Sequence, residues 1–268
     1  MKKVSLLLTL AVTSCASYKG HQPFKLNENV FYTEAKIERQ SGDLYLPLDP
    51  KNSPVVILVH GGGWRSRDKS DMSSIAKSVA SHGYTVFNIN YRLSPEFKHP
   101  TPIDDLEAAY RFLAAEQKKY GFNLSSLGLW GYSSGGHTIS QFVMTKNIPV
   151  TAVVSGGAPY DFSWYQKSPY INGYLGMYRD EDPKAYREAS PVNRIHSGMK
   201  NTSFFLYHAI EDKLVEYSQS SSFEAKLKEN GNEVEFYAVS FWGHAFAFAV
   251  SSGPVEQGIK FLDKKLKR

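Results

Sequence analysis

Gly131-Tyr132-Ser133-Ser134-Gly135 is a G-x-S-x-G pattern with a hydroxyl at its centre. Small residues on both sides permit a strained turn that presents the Ser133 hydroxyl to a carbonyl carbon. A second pattern, His60-Gly61-Gly62-Gly63-Trp64, is suited to what such an attack creates, a negative oxygen. Glycines let the backbone come close and aim N–H groups at that oxygen. Each fixed donor is worth about 3–4 kcal/mol to the charged intermediate. The candidate donors are the amides of Gly62, Gly63 and Ser134. A phosphate cradle is the rival use of a glycine-rich loop, but the lysine of a P-loop is missing. His60 belongs to the glycine pattern and is read as shaping that loop.

Serine is a weak nucleophile and needs a base within hydrogen-bond reach. Eight histidines compete. His21 lies near the N-terminus, His82 at a helix end, His99 in a loop and His196 in an irregular stretch. His137 is on the helix after Ser133 and points away from its tip; His208 ends a strand. His244, in Phe241-Trp242-Gly243-His244-Ala245-Phe246, lies between the last strand and the last helix, where a loop can carry imidazole over Ser133. The base needs a carboxylate to hold its tautomer and stabilise its cation. Asp212, after the strand at 203–208, is the candidate, and Glu211 is its neighbour and rival. Asp104 and Asp105 open a helix and are expected to cap it or to pair with Arg92. Asp161 could touch a substrate instead.

These residues need a scaffold that brings positions 60, 133, 212 and 244 together. Val55-Val56-Ile57-Leu58-Val59 reads as a strand buried on both faces. Strand-like runs follow at 85–90, 127–130, 151–155, 203–208 and 234–239. Helix-period segments lie at 71–82, 102–119, 134–145, 217–230 and 254–267. Alternating strands and helices predict an α/β protein with a mainly parallel sheet. A hairpin is expected over 35–47, turning at Ser41-Gly42. Residues 158–200 break the rhythm and are expected to form a lid-like insertion over the sheet edge where ligands bind. Eight aromatics fall within 158–186: Tyr160, Phe162, Trp164, Tyr165, Tyr170, Tyr174, Tyr178 and Tyr186. They could stack on an aromatic or sugar-bearing substrate, or serve as the insertion's own core.

The 268 residues are 42% hydrophobic and 21% charged, which excludes disordered, collagen-like and coiled-coil chains. A formal charge of +5 is too small and too evenly spread to argue for nucleic acid. The single cysteine, Cys15, can form neither an internal disulfide nor a thiolate zinc site. Lys2 and Lys3 precede an apolar run, residues 4–12, too short to span a bilayer and typical of a secretory signal. Val12-Thr13-Ser14-Cys15 resembles a bacterial lipoprotein signal. That resemblance implies cleavage before Cys15, acylation there, and a membrane anchor of several acyl chains. Ala16 after the cysteine, in place of Asp, resembles signals directed to the outer membrane. The alternative is an ordinary cleaved signal with an incidental cysteine. The expected organisation is a signal over 1–14, a lipidated tether over 15–34 and a catalytic domain over 35–268.

Taken together, the motifs resemble the α/β-hydrolase family, most nearly its hormone-sensitive-lipase-like and feruloyl-esterase-like carboxylesterases. Asp43-Leu44-Tyr45-Leu46-Pro47 and Asn90-Tyr91-Arg92-Leu93-Ser94-Pro95-Glu96 add to the likeness, which covers about residues 35–266. The resemblance implies eight mostly parallel strands, no cofactor, and a small-molecule ester as substrate. Ser133 would attack the carbonyl, His244 would take its proton, and the three amides would hold the oxyanion. Water would then release the acyl group. One departure is His208-Ala209, where related sequences often have glycine in the second position. Rival readings are an amidase such as an arylformamidase, a serine peptidase of the prolyl-oligopeptidase type, and a non-catalytic ligand-binding surface lipoprotein.

Overall fold

A computed structural model describes residues 20–240, 243–244 and 252–267. All six residues of β3 (Pro54–Val59) are buried, as a β-branched run between two helical layers must be. Alternate side chains divide between the layers. Val55, Ile57 and Val59 join a core with residues of α2 (Thr101–Tyr120), α3 (Ser134–Thr145) and α6 (Tyr217–Glu229). Val56 and Leu58 join a second core with α1 (Ser73–Ala80) and α7 (Ser252–Leu266). The close approach of α7 depends on Gly258, where an added Cβ would stand 2.6 Å from the Trp130 ring.

Around β3 the described strands are β1 (Phe24–Phe31), β2 (Ser41–Pro47), β4 (Thr85–Ile89), β5 (Asn123–Tyr132), β6 (Ala152–Gly156), β7 (Ser203–Ala209) and β8 (Val234–Val239). They form one eight-stranded sheet in the order β1-β2-β4-β3-β5-β6-β7-β8. The β1–β2 and β2–β4 pairs are antiparallel; every pair from β4 to β8 is parallel. The α/β-hydrolase architecture expected from the sequence is therefore present. Ser133, Asp212 and His244 all follow C-terminal strand ends, so the parallel arrangement brings them to one edge.

The N-terminal expectation needs correction. Residues 24–31, expected within a tether over 15–34, form β1, paired with β2 from Phe24↔Pro47 to Phe31↔Ser41. Ser41-Gly42 is no hairpin turn but the start of β2. The connection is residues 32–40, closed by a 3-10 turn at Glu38–Gln40. β1 is an edge strand, mostly exposed, and an irregularity between Asn27 and Val30 breaks its register. Exposure and irregularity together erase the alternation by which a strand is read. Upstream, the Gly20 amide donates to Ser81 Oγ (2.9 Å) and the Gln22 amide to the Ser81 carbonyl (2.9 Å). The N-terminal segment is thereby held beside the end of α1.

The insertion between β6 and β7 is helical. It holds a 3-10 turn at Phe162–Trp164, α4 (Pro169–Leu175), α5 (Pro183–Glu188) and 3-10 turns at Pro191–Arg194 and Ser197–Met199. Phe162, Ile171, Tyr174, Leu175, Tyr186 and Ala189 pack with Trp64 as a separate core. Most of its buried aromatics thus serve its own packing.

Candidate active site

The turn after β5 is tight. A Cβ at Gly135 would stand 2.2 Å from the Val59 carbonyl oxygen, and one at Gly131 2.5 Å from the backbone of Gly135. Ser133 itself has φ 54° and ψ −123°, sparsely populated for a residue with a Cβ. The strain lifts Oγ off the sheet while α3 begins at the next residue. The Ser134 amide is in the first turn of that helix, where no earlier carbonyl is available to it.

His244 Nε2 lies 3.0 Å from Ser133 Oγ, and its Nδ1 2.5 Å from Asp212 Oδ2. A carboxylate only accepts, so Nδ1–H donates to Asp212 and Nε2 is free to accept from the serine hydroxyl. The Asp212 side chain is fully buried. Its Oδ1 accepts from the amides of Leu214 and Val215, each at 2.9 Å. Burial pushes this carboxyl up, but hydrogen bonds from His208, His244 and the Val215 amide outweigh it and hold it well below the carboxylate range. Asp212 is therefore an anion wherever His244 can act as a base.

The other candidates have other partners. Asp105 pairs with Arg92 (2.7 Å) and accepts from Gln40, and Asp104 pairs with Lys146 (2.8 Å). Asp161 caps the turn at 162–164 through the Ser163 amide. Glu211 is exposed beside buried Asp212. His60 is buried and stacked on Tyr91 at 4.4 Å. Its Nδ1–H donates to the Gly61 carbonyl (2.6 Å) and its Nε2 accepts from Arg39 (3.3 Å). Burial lowers its pKa to about 4, so the ring is neutral and shapes the loop. His137 donates from Nε2 to the Ala189 carbonyl (2.8 Å) and stacks on Phe162.

The glycine loop lies against the turn that carries the serine. A Cβ at Gly61 would be 3.0 Å from the Tyr132 carbonyl oxygen and 3.3 Å from Ser133 Cβ. Gly62 and Gly63 have φ of 116° and 62°, and the Gly62 carbonyl accepts from the amides of Arg65 and Ser66. The loop and the serine turn line a cavity of about 770 Å³ together with Tyr165, Tyr170, Leu214, Val215 and His244. That volume suits a small organic ligand. Among the described residues, no group of three or more His, Cys, Asp or Glu side chains could hold a metal. Cys15, with Phe241, Trp242, Ala245 and Phe246 of the histidine motif, lies outside the described residues.

Two contacts escaped the sequence reading. The Tyr132 hydroxyl donates to the His244 carbonyl, and its ring lies 5.1 Å from the imidazole. His208, weighed only as a base, instead faces Asp212 Oδ2 from Nε2 at 3.2 Å. Tyr132 stands in the serine motif itself, but nothing in the motif says what its hydroxyl reaches.

The chain's relatives can be set beside this geometry. The BD-FAE family model matches residues 43–227. Esterase LipC of Mycobacterium tuberculosis (strain ATCC 25618 / H37Rv) is 25% identical over 247 residues, 82% of this chain and 60% of LipC. An acetylxylan esterase of Xylanibacter ruminicola is 25% identical over 76% of this chain and 43% of its own length. The chain thus spans about half the length of these curated relatives. A solved structure described as a truncated form of carbohydrate esterase from gut microbiota superimposes with a TM-score of 0.81. It is 21% identical and covers 94% of this chain and 99% of its own, a likeness of fold.

Proposed function

The chain belongs to the BD-FAE family, and from that membership we propose that it is a serine hydrolase of carboxylic esters. The observation that carries this reading is the hydrogen-bonded line from Ser133 through His244 to buried Asp212, at the wall of a cavity. Ser133 Oγ attacks the ester carbonyl carbon as His244 Nε2 takes its proton. The Gly62, Gly63 and Ser134 amides stabilise the resulting oxyanion. Collapse breaks the carbonyl–alkoxy bond, and His244 returns its proton to the departing alcohol. Water, deprotonated by His244, then releases the acid and restores Ser133. The esterase names of LipC and the acetylxylan esterase support ester cleavage. Tyr165 and Tyr170 in the cavity wall favour a small acyl group carried on an aryl or sugar moiety.

Purified protein should hydrolyse nitrophenyl acetate and butyrate, and Ser133→Ala should abolish turnover. Equal rates for wild type and variant would refute the reading. A panel of acetyl, butyryl, feruloyl and formamide substrates separates esterase from amidase. Cys15 is further proposed to carry a lipid anchor in a bacterial envelope. In that case Cys15→Ser moves the protein from the membrane to the soluble fraction, and an unchanged distribution would refute the anchor.

A further inference from the structure

Asp212 faces two imidazoles, and the reaction proposed above uses one. The other, His208, is the penultimate residue of β7, and its side chain is 0% exposed. Its Nε2 lies 2.8 Å from the Val215 carbonyl oxygen and 3.2 Å from Asp212 Oδ2. Both partners only accept, so Nε2 carries the proton and shares it between them. With Nδ1 unprotonated, the ring accepts there from Ser220 Oγ of α6, 2.7 Å away. The line of donors therefore runs further than the serine, base and acid. Ser220 O–H points to His208, His208 Nε2–H to Asp212 Oδ2, and His244 Nδ1–H to the same oxygen from the other side. With two amides on Oδ1, all four lone-pair directions of the carboxylate are engaged.

We propose that His208 is a positioning residue for ester hydrolysis: its Nε2–H, in the tautomer set by Ser220, fixes Asp212 Oδ2 toward His244 and takes up part of the carboxylate charge. The inference rests on the Ser133–His244–Asp212 reading above. A purely structural His208 would do no more than tie β7 to the Val215 carbonyl. The positioning role differs in a measurable way. Removing the donor leaves more negative charge facing His244, which favours the imidazolium and raises the pH at which the base becomes available. The titratable groups facing this line are Tyr217 of α6 against His208, Tyr132 of β5 against His244, and Tyr165 of the insertion near Asp212, Asp161 and Glu216. Burial holds Tyr132 and Tyr165 well above the ordinary phenol value, so neither titrates with the base.

The experiment measures kcat, KM and the acid limb of kcat/KM for the full chain on nitrophenyl acetate, with Ser133→Ala as background. Absence of Ser133-dependent turnover overturns the triad reading and this one with it, and the control alone shows it. Given such turnover, His208→Leu should lower kcat about tenfold or more, short of the ~10⁴ expected for loss of the acid itself. KM should stay within about twofold, and the acid limb should move up by about half a pH unit. His208→Gln, whose amide can donate from nearly the same place, should restore kcat to within about threefold and return the limb. Ser220→Ala, which keeps the ring, should move the limb in the same direction by less, and it decides the matter should the leucine variant not fold. An unmoved acid limb in His208→Leu, or in Ser220→Ala where that variant decides, overturns the proposal. So does a glutamine variant as impaired as the leucine one.

Discussion

Tyr132→Phe isolates one hydroxyl at the site. The ring, buried and 5.1 Å from the His244 imidazole, stays in place, and the hydrogen bond to the His244 carbonyl is lost. A neutral hydrogen bond contributes about 0.5–1.5 kcal/mol, and an orphaned buried carbonyl costs about 1–3 kcal/mol. About 1 kcal/mol, the middle of the hydrogen-bond range and the low end of the orphaning cost, is the expected loss. That amount, taken from the arrangement in which residue 244 meets both Ser133 and Asp212, lowers the competent fraction by up to about fivefold. The assay is kcat/KM on nitrophenyl acetate, with active enzyme counted by a serine-directed phosphonate, alongside thermal unfolding. Activity should fall about two- to fivefold and Tm by about 2–4 °C. A variant equal to wild type in both would show that the hydroxyl does not hold the histidine segment. A loss beyond about 10³ would mean that it takes part in the chemistry, which the positioning argument excludes.

Other expectations follow from the same geometry. Ser133→Gly and Ser133→Ala should both be inactive, but glycine should be the more stable by about 1 kcal/mol, because only alanine keeps a Cβ at φ 54°. Differential scanning calorimetry should show Tm higher by about 2–4 °C for the glycine variant, and the reverse order would refute the strain. Acid should unfold the protein steeply. Burial lowers His60 and His99 to about 4 and His137 to about 3, so the folded state leaves these rings neutral while the unfolded chain protonates them near 6.5. Their stabilisation is complete above that value and is lost as pH falls toward 4. Near pH 5 unfolding should take up close to three protons, a slope of about 3–4 kcal/mol per pH unit. Urea midpoints that stay flat from pH 7 to 4.5 would contradict it.

Residues that act through local pattern were the readable ones. β3 announced itself because a strand covered on both faces must be apolar throughout, and the serine turn because only small residues fit where a Cβ would meet Val59 and Gly135. Asp212 and His244 were legible from chain order, since each follows a strand whose end lies on the same edge. β1 was hidden because an exposed edge strand owes its existence to β2 rather than to its own periodicity. The insertion's aromatics could not be sorted by sequence. Tyr160, Phe162, Tyr174 and Tyr186 are buried, while Tyr165 and Tyr170 line the cavity, and their spacing carries no mark of the difference. His208 was identifiable as a candidate, but its partner was not, because Ser220 and Val215 reach it only through the packing of α6 on β7.

The pinning of Gly20 to Ser81 bears on where an anchored copy would work. Ser81 precedes β4, so this attachment lies at the N-terminal ends of the parallel strands, and Ser133, Asp212 and His244 lie beyond their C-terminal ends. Strands of five to seven residues separate the two edges by about 17–23 Å. From Cys15 to Gly20 the chain can reach no more than about 18 Å. With Cys15 lipidated as proposed, the leash is short and fastened to the underside. The bilayer then meets the base of the sheet, and the cavity opens toward the aqueous side. Such an enzyme would graze on esters that diffuse past the envelope and would be turned away from the lipids that hold it.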